Sequence, residues 1–244
     1  QELTLLGDQL ASGFAAGHSL VRFEAGSDVC VFGCGPVGVG VIQAGRVASA
    51  AQVIAIDPVK YRRDFALKMG ATTVLDPNAE GDGIVERIRE LCRGPNDRRF
   101  AGGTTWGRAA NAVISRGADF VVEAAGYQAH PPKVETQPDP TNVKTVLQAW
   151  DCTRAGGHTM LMGFTLQPVP FPGASLALFG RTIHPGQQGG LHVMRDIPRY
   201  VKLIEKGKID ATSVITKKYT LDEGRQAIQD TGERTIITAV IEFA

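Results

Sequence analysis

Residues 28 to 40 read DVCVFGCGPVGVG, an apolar run that breaks into glycines before apolar residues resume. Val29, Val31 and Phe32 are strand formers, and the segment from Pro36 to Ala50 reads as a helix with small residues on the side that would press on a sheet. The glycines therefore fall in a strand-to-helix turn. Gly33, Gly35 and Gly38 carry the G-x-G-x-x-G spacing: the first permits the tight turn, the second lets the backbone approach a pyrophosphate, and the third lets helix and strand pack closely. Pro36 and Val37 open the helix, whose unpaired N–H groups and positive dipole end face the phosphates.

Glycine-rich turns also serve purely as turns, so the next strand carries weight. The run QVIAID ends in Asp57, 57 − 38 = 19 residues beyond Gly38, close to the spacing of a carboxylate that accepts hydrogen bonds from an adenosine ribose. Such a carboxylate repels a 2′-phosphate, which favours NAD over NADP. Lys60, Arg62 and Arg63 follow, and cations there could accommodate a phosphate; Arg62 is counted among the candidate cofactor contacts. The plain alternative for Asp57 is a helix N-cap ahead of Pro58, and both roles can hold at once.

At 244 residues and 43% hydrophobic, the chain can bury a substantial core. Lys plus Arg total 26 against 25 for Asp plus Glu, so there is no basic field for nucleic acid, and no basic run is interleaved with aromatics. No apolar stretch approaches the roughly 20 residues that span a bilayer, and no signal-peptide pattern opens the chain, so it reads as soluble. Cys30, Cys34, Cys92 and Cys152 form no C-x-x-C pair and read as reduced thiols, which points to the cytoplasm. The chain begins at Gln1, which implies a processed terminus or an upstream region.

Beyond Asp57 helical and strand-like segments alternate. Tyr61, Phe65 and Met69 mark a helix face, TTVL a strand, and Ile84, Val85, Ile88 and Leu91 a second helix. This is the alternation of strand-helix-strand units that builds a parallel sheet. RGPNDRRFAGG reads as an inserted loop and Trp106 to Arg116 as a short helix; FVVEAAG is the next strand and exit turn, and HPPKVETQPDP a surface excursion. Val143, Val146, Leu147 and Trp150 give a further helix, TMLMG a strand after Gly156-Gly157, Thr182 to His184 another, and Ile197 to Ile204 a helix ending near Gly207. The last part, VITKKYT, Leu221 to Asp230 and TIITAVIEF, reads strand, helix, strand. There is no internal repeat.

With these landmarks the chain resembles the medium-chain dehydrogenase/reductase superfamily, and within it the zinc-containing alcohol dehydrogenases. The carriers are VFGCGPVGVGVIQAGRVASAAQVIAID, KMGATTVLDP, VVEAAG, TRAGGHTMLMGF, GRTI and GERTIITAVIEF. The resemblance implies an α/β Rossmann fold, a doubly wound parallel sheet with helices on both faces over 10–190, with residues 1–9 and 191–244 as segments of a GroES-like catalytic domain. It implies that Met162, Gly163 and Phe164 lie along the nicotinamide, that Ala125 borders the cofactor, and that Arg234 pairs with the pyrophosphate. The segment LLGDQLASGFAAG places Asp8 where most members carry a cysteine ligand of the catalytic zinc. Aspartate there is similar to the glutathione-independent formaldehyde dehydrogenases, and a carboxylate can ligate zinc. A helix N-cap ahead of Gln9 explains Asp8 equally well. His18, His130, His158, His184 and His192 show no paired ligand spacing and read as structural or surface residues.

The family's catalytic residues belong to an N-terminal domain that does not precede Gln1, so none is assigned in this chain. The expectation is the cofactor-binding portion of a zinc-dependent enzyme that passes a hydride from an alcohol, or a hydrated aldehyde, to NAD, with zinc as Lewis acid on the substrate oxygen. The alternatives are a zinc-free NADPH-dependent quinone or enoyl reductase of the same superfamily, or a non-catalytic NAD-binding module; a methyltransferase fits less well. The family implies a homodimer or homotetramer joined at the Thr182 to His184 edge.

Overall fold

The structure, a computed structural model, describes residues 1–92, 116–128 and 131–243. The RGPNDRRFAGG loop, the short helix expected from Trp106 as far as residue 115, and His130 lie outside the described residues. The chain runs α1 (Gln9–Ala15), β1 (Asp28–Phe32), α2 (Pro36–Val47), β2 (Gln52–Ile56), α3 (Lys60–Met69), β3 (Thr73–Leu75), α4 (Pro77–Glu80), α5 (Ile84–Leu91) and β4 (Ala118–Glu123). It continues α6 (Val143–Cys152), β5 (Thr153–Leu161), α7 (Gly173–Leu178), β6 (Thr182–Pro185), α8 (Val193–Glu205), β7 (Ile215–Thr220), α9 (Gly224–Glu233) and β8 (Thr238–Glu242).

Six strands form one parallel sheet in the order β3-β2-β1-β4-β5-β6, the doubly wound Rossmann arrangement. The order reverses between β1 and β4, and that is where the glycine turn leaves the sheet. β1 shows why an unbroken apolar run, and not an alternating one, makes the central strand. Val29 and Val31 face a core with Val39 and Val41 of α2 and Phe65 of α3, while Cys30 and Phe32 face Ile84 and Ile88 of α5 and Ala149 of α6. Both faces are covered, so polar alternation would bury unpaired groups. Each fully buried Val or Ile contributes about 1.5–3 kcal/mol relative to exposure. α8 sends Tyr200 into the first of these cores, edge-on to Phe14 of α1 with ring centroids 4.9 Å apart. β7 and β8 form a separate two-stranded parallel sheet with α9 between them in sequence.

Two local readings are corrected by the backbone, and one helix has no counterpart in the sequence reading. The helix after Asp57 starts at Lys60 with Val59 at its N-cap, because Asp57 Oδ1 accepts the Val59 N–H at 2.8 Å and closes a turn two residues long instead of capping Pro58. The strand expected after Gly156 and Gly157 begins before them: both lie inside β5, where the pairing with β4 shifts register between Ala118 and Phe120, an irregularity that glycine tolerates. α7 falls in a proline-rich segment whose sequence shows no helical period, and is pinned by Ser175, which accepts the Trp150 indole N–H at 2.9 Å.

Candidate cofactor site

The strand-to-helix turn after β1 is shaped by atoms that cannot be there. Gly33 has φ +94°, and a Cβ on it would lie 2.8 Å from the Ala125 amide at the exit of β4. A Cβ on Gly38 would lie 1.8 Å from the Gly33 carbonyl oxygen, so α2 packs on the turn with no room for a methyl group. Gly35 is different: its missing side chain opens on the cleft, with the Arg62 Nη1 at 3.7 Å as the nearest neighbour. A cradle bare of side chains at a helix N-terminus fits a phosphate. Cys34 is fully buried inside the turn, its thiol pushed well up by burial, so it fills space and is not a nucleophile.

Asp57 is buried at the end of β2, where Oδ2 accepts the Cys34 N–H at 2.9 Å and Oδ1 the Val59 N–H. It thereby ties the glycine turn to the start of α3, and each oxygen keeps capacity for one further donor. Of the three cations near it, two are engaged elsewhere: Lys60 pairs with Asp64 at 2.7 Å, and Arg63 with Asp76 at 2.8 Å and with the Asp57 and Pro58 carbonyls. Arg62 lines the cleft, and its buried Nε has no hydrogen-bond partner. Opposite stands Arg234, the C-cap of α9, held in the left-handed region at φ 60° and donating to Gln128 Oε1 at 2.7 Å. Burial and the neighbouring Arg62 both push the Arg234 pKa down, the signature of two cations facing one space.

The excursion after Gly126 closes the far rim. Asn78 accepts the Thr136 N–H at 2.8 Å and donates to the Val134 carbonyl at 2.9 Å, and Lys144 bridges to Asp82 at 3.1 Å. This brings Glu135 into the cleft lining with an unpartnered Oε2; burial raises its pKa, against the pull of Arg234. At the floor, the buried Glu123 accepts the Ala125 and Gly126 amides at 2.8 and 3.0 Å, while its carbonyl accepts those of Met162 and Gly163 at 2.8 and 3.0 Å. One residue thus fixes the exits of both β4 and β5. Burial raises the Glu123 pKa, opposed by those amides.

Of the residues the sequence singles out, Gly33, Gly35, Asp57, Arg62, Ala125 and Arg234 line this single cleft. Pro36, Val37 and Gly38 form the first turn of α2 beneath it. Met162 and Gly163 are half-buried at the exit of β5, and Phe164 is 79% exposed, its carbonyl accepting the Tyr127 N–H at 2.6 Å. Asp8 lies apart from these, in a shallow hollow beside β8, at the N-cap position of α1. Its Oδ1 accepts the Ser12 hydroxyl at 2.9 Å and caps no amide of the helix. Among the described residues no three His, Cys, Asp or Glu gather as a metal site, so these residues do not by themselves hold a zinc ion. Sequence reasoning missed Glu135, Gln128 and Asn78, whose contacts join segments far apart in the chain, and Glu123, whose side chain bonds the turn that directly follows it.

Fold and cleft together define a chain of the dinucleotide-binding α/β class. The zinc-binding dehydrogenase family model matches residues 36–206, and the chain belongs to that family, as its cofactor-binding domain. It is 27% identical over 241 residues to the NDMA-dependent alcohol dehydrogenase of Amycolatopsis methanolica, covering 97% of this chain and 55% of that protein. It is 25% identical over 231 residues to the S-(hydroxymethyl)glutathione dehydrogenase of Saccharomyces cerevisiae, covering 93% of this chain and 50% of that one. Benzyl alcohol dehydrogenase from Acinetobacter calcoaceticus shares the fold with a TM-score of 0.78 at 24% identity, over 100% of this chain and 57% of its own. The chain therefore spans about half the length of the curated relatives it matches. Among the described residues no helix is long and apolar enough to cross a membrane.

Proposed function

We propose that this chain is the portion of a zinc-dependent alcohol dehydrogenase that holds NAD while a hydride arrives from an alcohol or hydrated aldehyde. The observation that carries the reading is the convergence of Gly33, Gly35, Asp57, Arg62 and Arg234 on one cleft at the C-terminal ends of the strands, where the sheet order reverses. The α2 amides would face the pyrophosphate, with Arg62 and Arg234 neutralising it from two sides. Asp57 would accept the adenosine ribose hydroxyls on the lone pairs its two amide bonds leave free. Backbone groups of Met162, Gly163 and Phe164, fixed through Glu123, would orient the nicotinamide. The bound cofactor supplies the hydride acceptor, and the chain positions it and limits water around it.

Asp57 and Glu135 put two carboxylates on the adenosine side, which supports NAD over NADP. Asp8 is proposed as one ligand of the catalytic zinc, the others lying outside the described residues. Further proposals are a cytoplasmic protein and a homodimer or homotetramer joined through β6, whose outer edge pairs with no strand among the described residues. The zinc-free NADPH-dependent reductase is the second reading, favoured by Arg62, a cation in the cleft whose Nε has no hydrogen-bond partner. Parallel fluorescence titrations with NADH and NADPH test the cofactor, and a metal assay on the intact protein tests the zinc. NADH binding at least tenfold tighter is the expected result. A preference for NADPH together with no bound zinc establishes the second reading, and binding of neither nucleotide removes both.

A further inference from the structure

β5 and β6 bring together two histidines that the sequence keeps 26 residues apart. His158 Nδ1 and His184 Nε2 lie 2.9 Å apart, with ring centroids at 5.1 Å and planes inclined by 42°. His158 stacks on the buried Phe120 (5.5 Å, 13°), which itself packs on Phe23 at 5.1 Å, so a buried aromatic column fixes the ring. Both imidazoles are partly exposed, at the outer edge of the main sheet and outside the cofactor cleft lining. Burial lowers both pKa values, and for His184 the neighbouring His158 adds to this. Around His158 the charged groups are Arg154, Glu24 and Asp119; Arg154 is engaged by Asp119 at 2.6 Å. Near pH 7 both rings are therefore neutral, and a neutral imidazole offers a lone pair.

We propose that His158 and His184 form a two-histidine site for a divalent transition metal, Cu²⁺, Ni²⁺ or Zn²⁺, where β5 and β6 pair in the main sheet. Imidazole suits these ions, with Cu²⁺ bound most tightly. With metal–nitrogen distances of about 2.0–2.1 Å, nitrogens 2.9 Å apart subtend about 90°, the angle of a square-planar or octahedral centre. A tilt of the rings that opens the pair to about 3.3 Å gives a tetrahedral angle.

The proton count closes. In the metal-free pair one ring donates its N–H to the other. On chelation that proton passes to the outward nitrogen of the same ring, both facing nitrogens bind the metal, and the neutral pair neither gains nor loses a proton. Below the range where the pair is neutral, binding displaces protons and weakens. The remaining coordination positions go to water or small anions.

The test is a titration of the purified chain with Cu²⁺, followed by electron paramagnetic resonance, with a calorimetric titration of Zn²⁺ beside it. The expected result is one tight equivalent with two equatorial nitrogens, and a loss of at least tenfold in affinity, with one nitrogen gone, in either His158→Gln or His184→Gln. Copper binding unchanged in both variants, or no tight equivalent in the wild-type chain, overturns the proposal. Should either variant fail to fold, imidazole NMR of the wild-type chain with substoichiometric Zn²⁺ decides. Shifts first at His158 and His184 support the site; shifts first at His18 or His192 overturn it.

Discussion

β1-α2-β2 and β7-α9-β8 are both strand-helix-strand units with parallel strands, yet they are held by opposite means. The first is fixed by missing side chains: Gly33 and Gly38 let backbone lie against backbone, and β1 is buried on both faces. The second has one small buried cluster of Tyr219, Ala227 and Ile236, and a polar clamp. Asp230 of α9 accepts Lys217 at 2.7 Å, Tyr219 at 2.5 Å and Gln226 at 2.6 Å, and these bonds hold its carboxyl down to about 2. Its outer face leaves Ile228 and Phe243 each 77% exposed. Backbone sterics over-determine the first unit, and they are deaf to pH. Side-chain hydrogen bonds determine the second, and they titrate.

Substitution of Gly38 by alanine has the largest expected effect. With 1.8 Å between the new Cβ and the Gly33 oxygen, α2 must leave the sheet, at a cost on the order of 4 kcal/mol and with loss of NAD binding, read by denaturant unfolding and NADH fluorescence. A change as small as that of Ile228→Ala, expected within about 0.5 kcal/mol, would remove the contrast between the units. Asp57→Ala comes next. It strands the Cys34 and Val59 amides, at about 1–3 kcal/mol for each left unsatisfied, and weakens NADH binding; Asp57→Asn, which keeps one acceptor, restores part of the stability in the same unfolding assay.

The pH response separates the units more gently. The Asp230 carboxyl is lowered from 3.8 to about 2, so its contribution is complete above about pH 5 and is lost progressively as pH falls through about 2. Amide exchange in β7 and β8 is expected to accelerate over that window before exchange in β1 and β2 does. Equal acceleration in both sheets would show the clamp to be idle. The smallest effect on stability belongs to Arg234→Gln, expected within about 0.5 kcal/mol in thermal unfolding, while NADH affinity falls roughly tenfold.

The β1-α2-β2 unit was legible in the sequence because its determinants are local: three glycines at fixed spacing and a carboxylate at the next strand end. The parallel sheet followed from the alternation of elements, and its doubly wound arrangement from the family resemblance. Where reading failed, the deciding contact was either a competing short-range bond or a long-range one. Asp57 bonds Val59 and delays α3 to Lys60, although Pro58 looked like its first residue. Glu135 enters the cleft only because Asn78, some 58 residues from Thr136, anchors its loop. His158 and His184 meet because β5 and β6 are neighbours, a fact of strand order and not of spacing. Asp8 does stand at the N-cap position of α1, yet its side chain bonds Ser12 instead of the helix amides.

The most direct test of the central claim is an amide chemical-shift map of the chain on addition of NAD⁺. The account predicts that the large shifts concentrate at Gly33 to Gly38, around Asp57 and at Ala125 to Gln128, with β7 and β8 quiet. Shifts centred on β7 and β8, or a glycine turn that does not respond at saturating NAD⁺, would contradict it.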